Sequence, residues 1–510
     1  MNKFFKIVGA VAIINIVARV FGFLREMIIG FQYGSTHISD SIFTAYTIPN
    51  FLYLVVGGAF TTAVISIYNR ETTDRALFVK QSFTIVLVTV TIMTVIMMAF
   101  ANPILEVFNQ DKIEKGFSQS ELDTTKYLYY WMMPSSILLV LSSWYSGLLN
   151  VHQKFHLSSF AILIYNVVFL VVAVALSYVI GPIAYGISAL VSAAIMVYFL
   201  IAGYRKLDSF TVGFSFERNI SSKQLWIMVV PIMLGGATIQ LYALLQRVFA
   251  GMLSEGAVAA VNFASRLMQF PQAILITAVT TVIYPILSQK EANNDHGSIK
   301  NLYSKGLHYL LLLLIPVTIY SYFYAENLVQ VIFQYGEFDK ASTAITWPVL
   351  AIFVLSMYFL AANTYITRFY YAKGDSMAPV IFSLINVFGV NIAVIMMYVD
   401  TLGAEAIAWG TLISSIVNFV MLVVYAIFKY DLKMGIFNKE LQFFRAIPPM
   451  IIIFIVVYLS SKYLVFDYKW LTFIVGLLIF SATVIGSYLL FGVKEVKELT
   501  DKLKRKFLKQ

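Results

Sequence analysis

The chain reads as long apolar runs separated by short polar breaks. Each run holds about 20 residues or more, enough to cross a ~30 Å hydrocarbon core as a helix. Within the runs the apolar residues are continuous, whereas the strands of a membrane barrel alternate, so the pattern predicts helices and excludes a barrel. Fourteen spans are predicted, near 4–33, 39–68, 78–103, 122–150, 157–180, 183–204, 222–250, 257–287, 302–324, 341–370, 377–400, 403–428, 441–463 and 469–492. The expected fold class is therefore an all-α polytopic membrane protein. The first run has no small-residue cleavage site and is too long for a signal peptide, so it is read as a permanent span. Proline recurs within or at the edge of spans (Pro49, Pro134, Pro231, Pro271, Pro316, Pro348, Pro379 and Pro448–Pro449), and each is a candidate kink.

The placement of charge orients these spans. With both termini cytoplasmic, the inside segments carry 26 Lys and Arg residues and the outside loops 6. That bias follows the positive-inside rule and predicts cytoplasmic termini. It also explains the net charge of +10 by topology, so nucleic acid is not an expected partner. Composition agrees: 60% of residues are hydrophobic and 12% charged, roughly half the charged fraction of soluble proteins. There is no cysteine, which removes disulfides and thiolate-metal chemistry. The basic end, residues 493–510, reads as a solvated cytoplasmic tail or as a surface helix held to anionic lipid.

Four arginines break the apolar pattern from inside: Arg19, Arg25, Arg247 and Arg266. A charge at bilayer depth costs a few kcal/mol or more, and is normally paired or faces a water-filled cavity. Arg19 and Arg25 lie about 120° apart around one helix, whereas Arg19 and Glu26 share a face. Interhelical salt bridges through Glu26 and Asp40 are one reading. The alternative is an anion site, because four arginines outnumber those two acids. Arginine suits a diphosphate, since its planar fork donates two parallel hydrogen bonds and stays charged at cellular pH. Asp40 opens the second span, where it either caps that helix or forms a gating salt bridge with Arg25 or Arg266. Asn166, Gln240, Gln246, Asn386, Asn391 and Asn418 are expected to be mostly interhelical hydrogen bonders.

A weak internal repeat supports a two-part plan. Arg19-Val20-Phe21-Gly22 has a counterpart in Arg247-Val248-Phe249-Ala250, and each is followed by a span carrying Pro49 or Pro271. The expected organisation is an N-terminal lobe over 1–215 (spans 1–6) and a C-terminal lobe over 216–435 (spans 7–12). Spans 13–14 (436–492) and the basic tail (493–510) then follow. An enzyme is not expected. The five histidines, His37, His152, His156, His296 and His308, sit in loops or at span ends without metal-ligand spacing. No buried acidic pair offers metal-assisted chemistry, so no cofactor or metal is anticipated.

The stretch Val17 to Glu26, then Asp40 to Asn50, resembles the MurJ (MviN) lipid II flippases of the multidrug/oligosaccharidyl-lipid/polysaccharide exporter superfamily. Gly58-Ala59-Phe60, Ala264 to Pro271 and Phe333 to Phe338 continue the resemblance along essentially the whole chain. It implies a flippase for lipid II or a related undecaprenyl-diphosphate glycolipid, moved from the inner to the outer leaflet by alternating access. It also implies a groove for the lipid tail on spans 13–14, contacts with membrane lipids, and cell-wall synthases as candidate partners. Carried over by position, Arg19, Arg25, Asp40 and Arg266 match residues the family treats as functional, and Arg247 matches more loosely. Glu26 and Asp40 are the candidate gating or salt-bridge acids. Three positions depart from the family pattern. Tyr53 stands where an arginine is usual, Gly57 where an acid precedes Gly-Ala-Phe, and Gln246 where many members carry an aspartate. These departures count against an acid-based sodium site. The missing arginine also leaves open another polyprenyl-linked glycan as cargo. Two further readings are a drug or cation exporter of the same superfamily, which would need buried carboxylates rather than arginines, and a non-transporting cell-wall scaffold.

Overall fold

A computed structural model describes residues 3–70, 74–108, 119–207, 212–217, 220–292, 295–375, 377–433 and 443–493. The expected basic tail lies outside these residues. Among them every regular element is a helix, as the continuous apolar runs require. Among the described residues ten helices are long and apolar enough to cross a membrane, or eleven if the bent pair Lys340–Leu355 and Met357–Ala372 is one span. The chain divides into two compact units, residues 1–262 with 335–338, and residues 263–334 with 339–510.

In the first unit, the helix Lys3–Tyr33 packs along Phe155–Ile180, which in turn packs along Ile183–Arg205. The second span is one long apolar stretch, His37–Asn69, interrupted by a π-helical turn at Tyr53–Gly57. That turn begins four residues after Pro49, whose ring removes a backbone donor from the ladder. Gly57 ends it where helix Ser135–Val151 comes close: a Cβ there would sit 2.7 Å from Ser143 Oγ. A larger residue at this position would require Ser143 to shift. The helix Ile220–Gly251 packs against the second span, on both the π turn and Gly58–Arg70.

The second unit shows where the proline kinks fall. The bent pair turns by 43° at Ser356, eight residues beyond Pro348, so the bend is not at the proline itself. Pro448 and Pro449 occupy the first turn of helix Ile447–Tyr463, where a missing N–H costs nothing. A second π turn, Ile385–Asn391, interrupts the span Met377–Leu402. Asn386 there donates to Asn418 Oδ1 at 3.2 Å, an interhelical bond of the kind expected. The helices Ile447–Tyr463 and Lys469–Leu490 pack against each other, and Tyr324 and Tyr488 tie them to the His296–Phe323 region through Ser460 and the Leu312 carbonyl.

Candidate anion site in the first unit

Arg25 lies on helix Lys3–Tyr33, whose neighbours dictate how its charge is held. Its Nη2 donates to Glu26 Oε1 at 3.0 Å, and the two side chains are only 11% and 3% exposed. The guanidinium carbon stands 5.1 Å from the Tyr46 ring centre and 5.0 Å from that of Phe169. Two aromatic faces thus cover the cation, each worth about 0.5–2 kcal/mol. The Tyr46 and Tyr165 hydroxyls are hydrogen-bonded to each other at 3.1 Å beside it.

The second oxygen of Glu26 leads to another helix. Asn262 Nδ2 donates to Glu26 Oε2 at 2.9 Å, and Asn262 Oδ1 accepts from Arg247 Nη2 at 3.2 Å. Arg247 also donates through Nη1 to Thr47 Oγ1 at 2.6 Å and to the Phe43 carbonyl at 3.3 Å. Arg25, Glu26 and Arg247 are therefore joined into one network, with Asn262 as the link. These bonds engage Arg247 in holding three helices together.

Asp40 does not cap its own helix. Thr36 precedes helix His37–Leu52 without a side-chain cap, and the Asp40 carboxylate reaches another chain segment instead. It accepts from Gly256 N at 2.9 Å and from Ala259 N at 2.7 Å. It therefore caps the N-terminus of helix Ala257–Ala292, where a carboxylate is favoured by orphan N–H groups and the helix dipole. Nearby, His37 N donates to Glu255 Oε1 at 2.9 Å, so two contacts pin the same turn.

Arg19 behaves differently from Arg25. It is exposed, while Glu26 on the same face is 2% exposed, because seven residues separate them by ~10 Å along the axis. Asn166 packs on this helix against Gly22 and donates to the Ala18 carbonyl at 3.2 Å. Arg266 is half-buried in the second unit, one turn beyond Asn262 on the same helix.

The sequence did not single out Asn262, Thr47, Tyr46 or Phe169. One signal was available for Asn262: it falls four residues before Arg266, hence on the same helix face. The aromatics had no such marker in a chain that is 16% aromatic. Among the described residues no cluster of His, Asp or Glu could hold a metal ion.

Long apolar helices with a buried, aromatic-covered arginine network define a class first: a polytopic helical membrane fold. Solved structures share it. The inward-facing conformation of a multidrug resistance MATE family transporter of the MOP superfamily aligns at TM-score 0.69 and 12% identity, over 79% of this chain and 93% of that one. The lipid II flippase MurJ in an inward closed conformation aligns at 0.81 and 21% identity, over 96% and 99%. In sequence, the MurJ lipid II flippase family model matches residues 32–482. A probable lipid II flippase MurJ of Rickettsia prowazekii (strain Madrid E) is 26% identical over 490 residues, covering 92% of this chain and 95% of its own. The chain belongs to the MurJ lipid II flippase family, a family of transporters of the bacterial plasma membrane and not of enzymes.

Proposed function

We propose that this chain moves lipid II, an undecaprenyl-diphosphate-linked peptidoglycan precursor, from the inner to the outer leaflet by alternating access. The observation that carries the reading is Arg25. Among the described residues it gives one hydrogen bond, to Glu26, and is held rigid between two rings, which leaves N–H donors for a diphosphate. Arg19 and Arg266 are the further candidate contacts, and Arg247 acts from behind through Asn262. Asp40 is the proposed gate acid, since its bonds to Gly256 N and Ala259 N fasten the start of one span to the start of another.

The same reading extends to topology. Three more helices, Lys3–Tyr33, Ile220–Gly251 and Ala257–Ala292, have 31, 32 and 36 residues and carry all four arginines. Added to the eleven apolar spans they bring the count to fourteen, with both termini cytoplasmic and two six-helix lobes that exchange access. A membrane potential, inside negative, would then drive the anionic headgroup outward at about 2.3 kcal/mol per charge per 100 mV. A flipping rate in vesicles that ignores the potential would contradict this coupling.

The direct test is binding of lipid II to the purified protein in nanodiscs. Saturable binding is expected, weakened about tenfold or more in Arg25→Ala. Absence of binding, or equal binding by the variant, would overturn the reading. A second cargo, another polyprenyl-linked glycan, is favoured by one observation: Tyr53 and Gly57 supply neither the arginine nor the acid usual at these positions, and Gly57 packs closely on Ser143. Preference for such a lipid over lipid II in the same assay would select it.

A further inference from the structure

The amide of Asn262 is a neutral group set between two opposite charges, and its two ends match them. Its Nδ2 donates to Glu26 Oε2 at 2.9 Å, and its Oδ1 accepts from Arg247 Nη2 at 3.2 Å. Turning the amide over would aim a donor at a guanidinium and an acceptor at a carboxylate, so the network fixes its orientation. The residue is 4% exposed, which makes water a poor substitute for either bond.

We propose that Asn262 is a positioning residue for anion recognition: it holds Glu26 in the orientation that braces Arg25, without touching the anion itself. The inference rests on the function proposed above and adds to it. Glu26 is shared, one oxygen on Arg25 and the other on Asn262. While Asn262 grips the second oxygen, the carboxylate cannot rotate away from Arg25 Nη2, and the guanidinium keeps its remaining donors aimed in one direction. The charged and titratable groups around this junction come from five helices. They are Arg25 and Glu26, Asp40 and Tyr46, Tyr165, Tyr185 and Arg247.

An isosteric carboxylate separates this role from simple packing. In Asn262→Asp a carboxylate replaces the donor about 3 Å from Glu26, and two carboxylates that close share one proton. With the proton bound, an O–H donates to Glu26 while the other oxygen accepts from Arg247, which rebuilds the native pattern. With the proton lost, the pair repels and Glu26 is pushed off its bearing. Lipid II binding in nanodiscs by Asn262→Asp should therefore fall about tenfold at about pH 8.5 and recover to within about twofold of the native protein at about pH 6. Asn262→Leu has no donor at any pH and should be weak at both. Native binding should be flat across that range. Asn262→Asp binding like the native protein at the higher pH, or as weakly at the lower pH as at the higher, would overturn the proposal. Failure of the native protein to bind lipid II at either pH would instead remove the function on which it rests.

Discussion

At the scale of single residues, the first unit shows how an apolar interior tolerates a guanidinium. Arg25 meets one carboxylate oxygen and two ring faces, so its charge is offset without being fully consumed. A lysine could neutralise the same carboxylate but could not present a planar fork. Arg25→Lys should therefore fold normally and still bind lipid II about tenfold more weakly, as read by nanodisc titration. Asp40 is a structural counterpart, because two backbone N–H groups depend on it inside a site that is 5% exposed. Asp40→Ala should cost roughly 2–4 kcal/mol, seen as a fall in Tm of the purified protein, and Asp40→Asn about half of that. Charge made Arg25 and Asp40 legible in the sequence. The acid beside Arg25 was legible too, since Glu26 was a salt-bridge candidate; the rings over Arg25 and the backbone turn that Asp40 holds were not, because they carry no sequence mark. Of the two readings open for Asp40, a cap of its own helix or a gating salt bridge, the first is met by a different helix: the N–H groups it satisfies begin 216 residues further along.

At the scale of elements, two short segments do more than their length suggests. The turn Tyr335–Phe338 belongs to the first unit although it interrupts the second in sequence. Gly336 makes this possible, with φ at +60° and no room for a side chain: a Cβ would lie 2.3 Å from the Phe31 carbonyl oxygen. The next residue, Glu337, donates its N–H to that same oxygen at 2.9 Å. Gly336→Ala should thus be strongly destabilising, by about 2 kcal/mol or more, in thermal denaturation. In the second unit, Asp375 gathers the loop after helix Met357–Ala372 onto the end of Ala404–Tyr430. It accepts from Tyr430 at 2.7 Å, Lys429 at 2.9 Å and Ala378 N at 3.1 Å. Burial works against this carboxylate, yet those hydrogen bonds and the Lys429 charge outweigh it and hold the carboxyl at about 2. A carboxyl lowered on folding stabilises above its unfolded value of about 3.9, and its contribution is lost only as pH falls through about 2. The drop in Tm caused by Asp375→Asn should therefore be the same at pH values of about 5 and 8. A drop that vanished at the lower pH would contradict the assignment. Element type was readable from the apolar runs, but the π turns and the bend at Ser356 were not, since each depends on local packing rather than on periodicity.

At the scale of the whole molecule, hydropathy and the placement of basic residues sufficed to identify a polytopic helical membrane protein, and the family match agrees with the arginine motifs. The three helices that carry the arginines also carry polar residues, and Gln246 and Asn262 stand beside the charges on two of them. This is where the anion site is proposed. The central claim is that lipid II crosses the membrane by way of Arg25. The measurement closest to it is depletion of this protein in its host, followed by an externally added toxin that cleaves the lipid II headgroup. Cleavage should fall on depletion, return with the native chain, and fail to return with Arg25→Ala expressed at the same level. Undiminished cleavage in depleted cells with no second flippase, or full rescue by Arg25→Ala, would contradict the account.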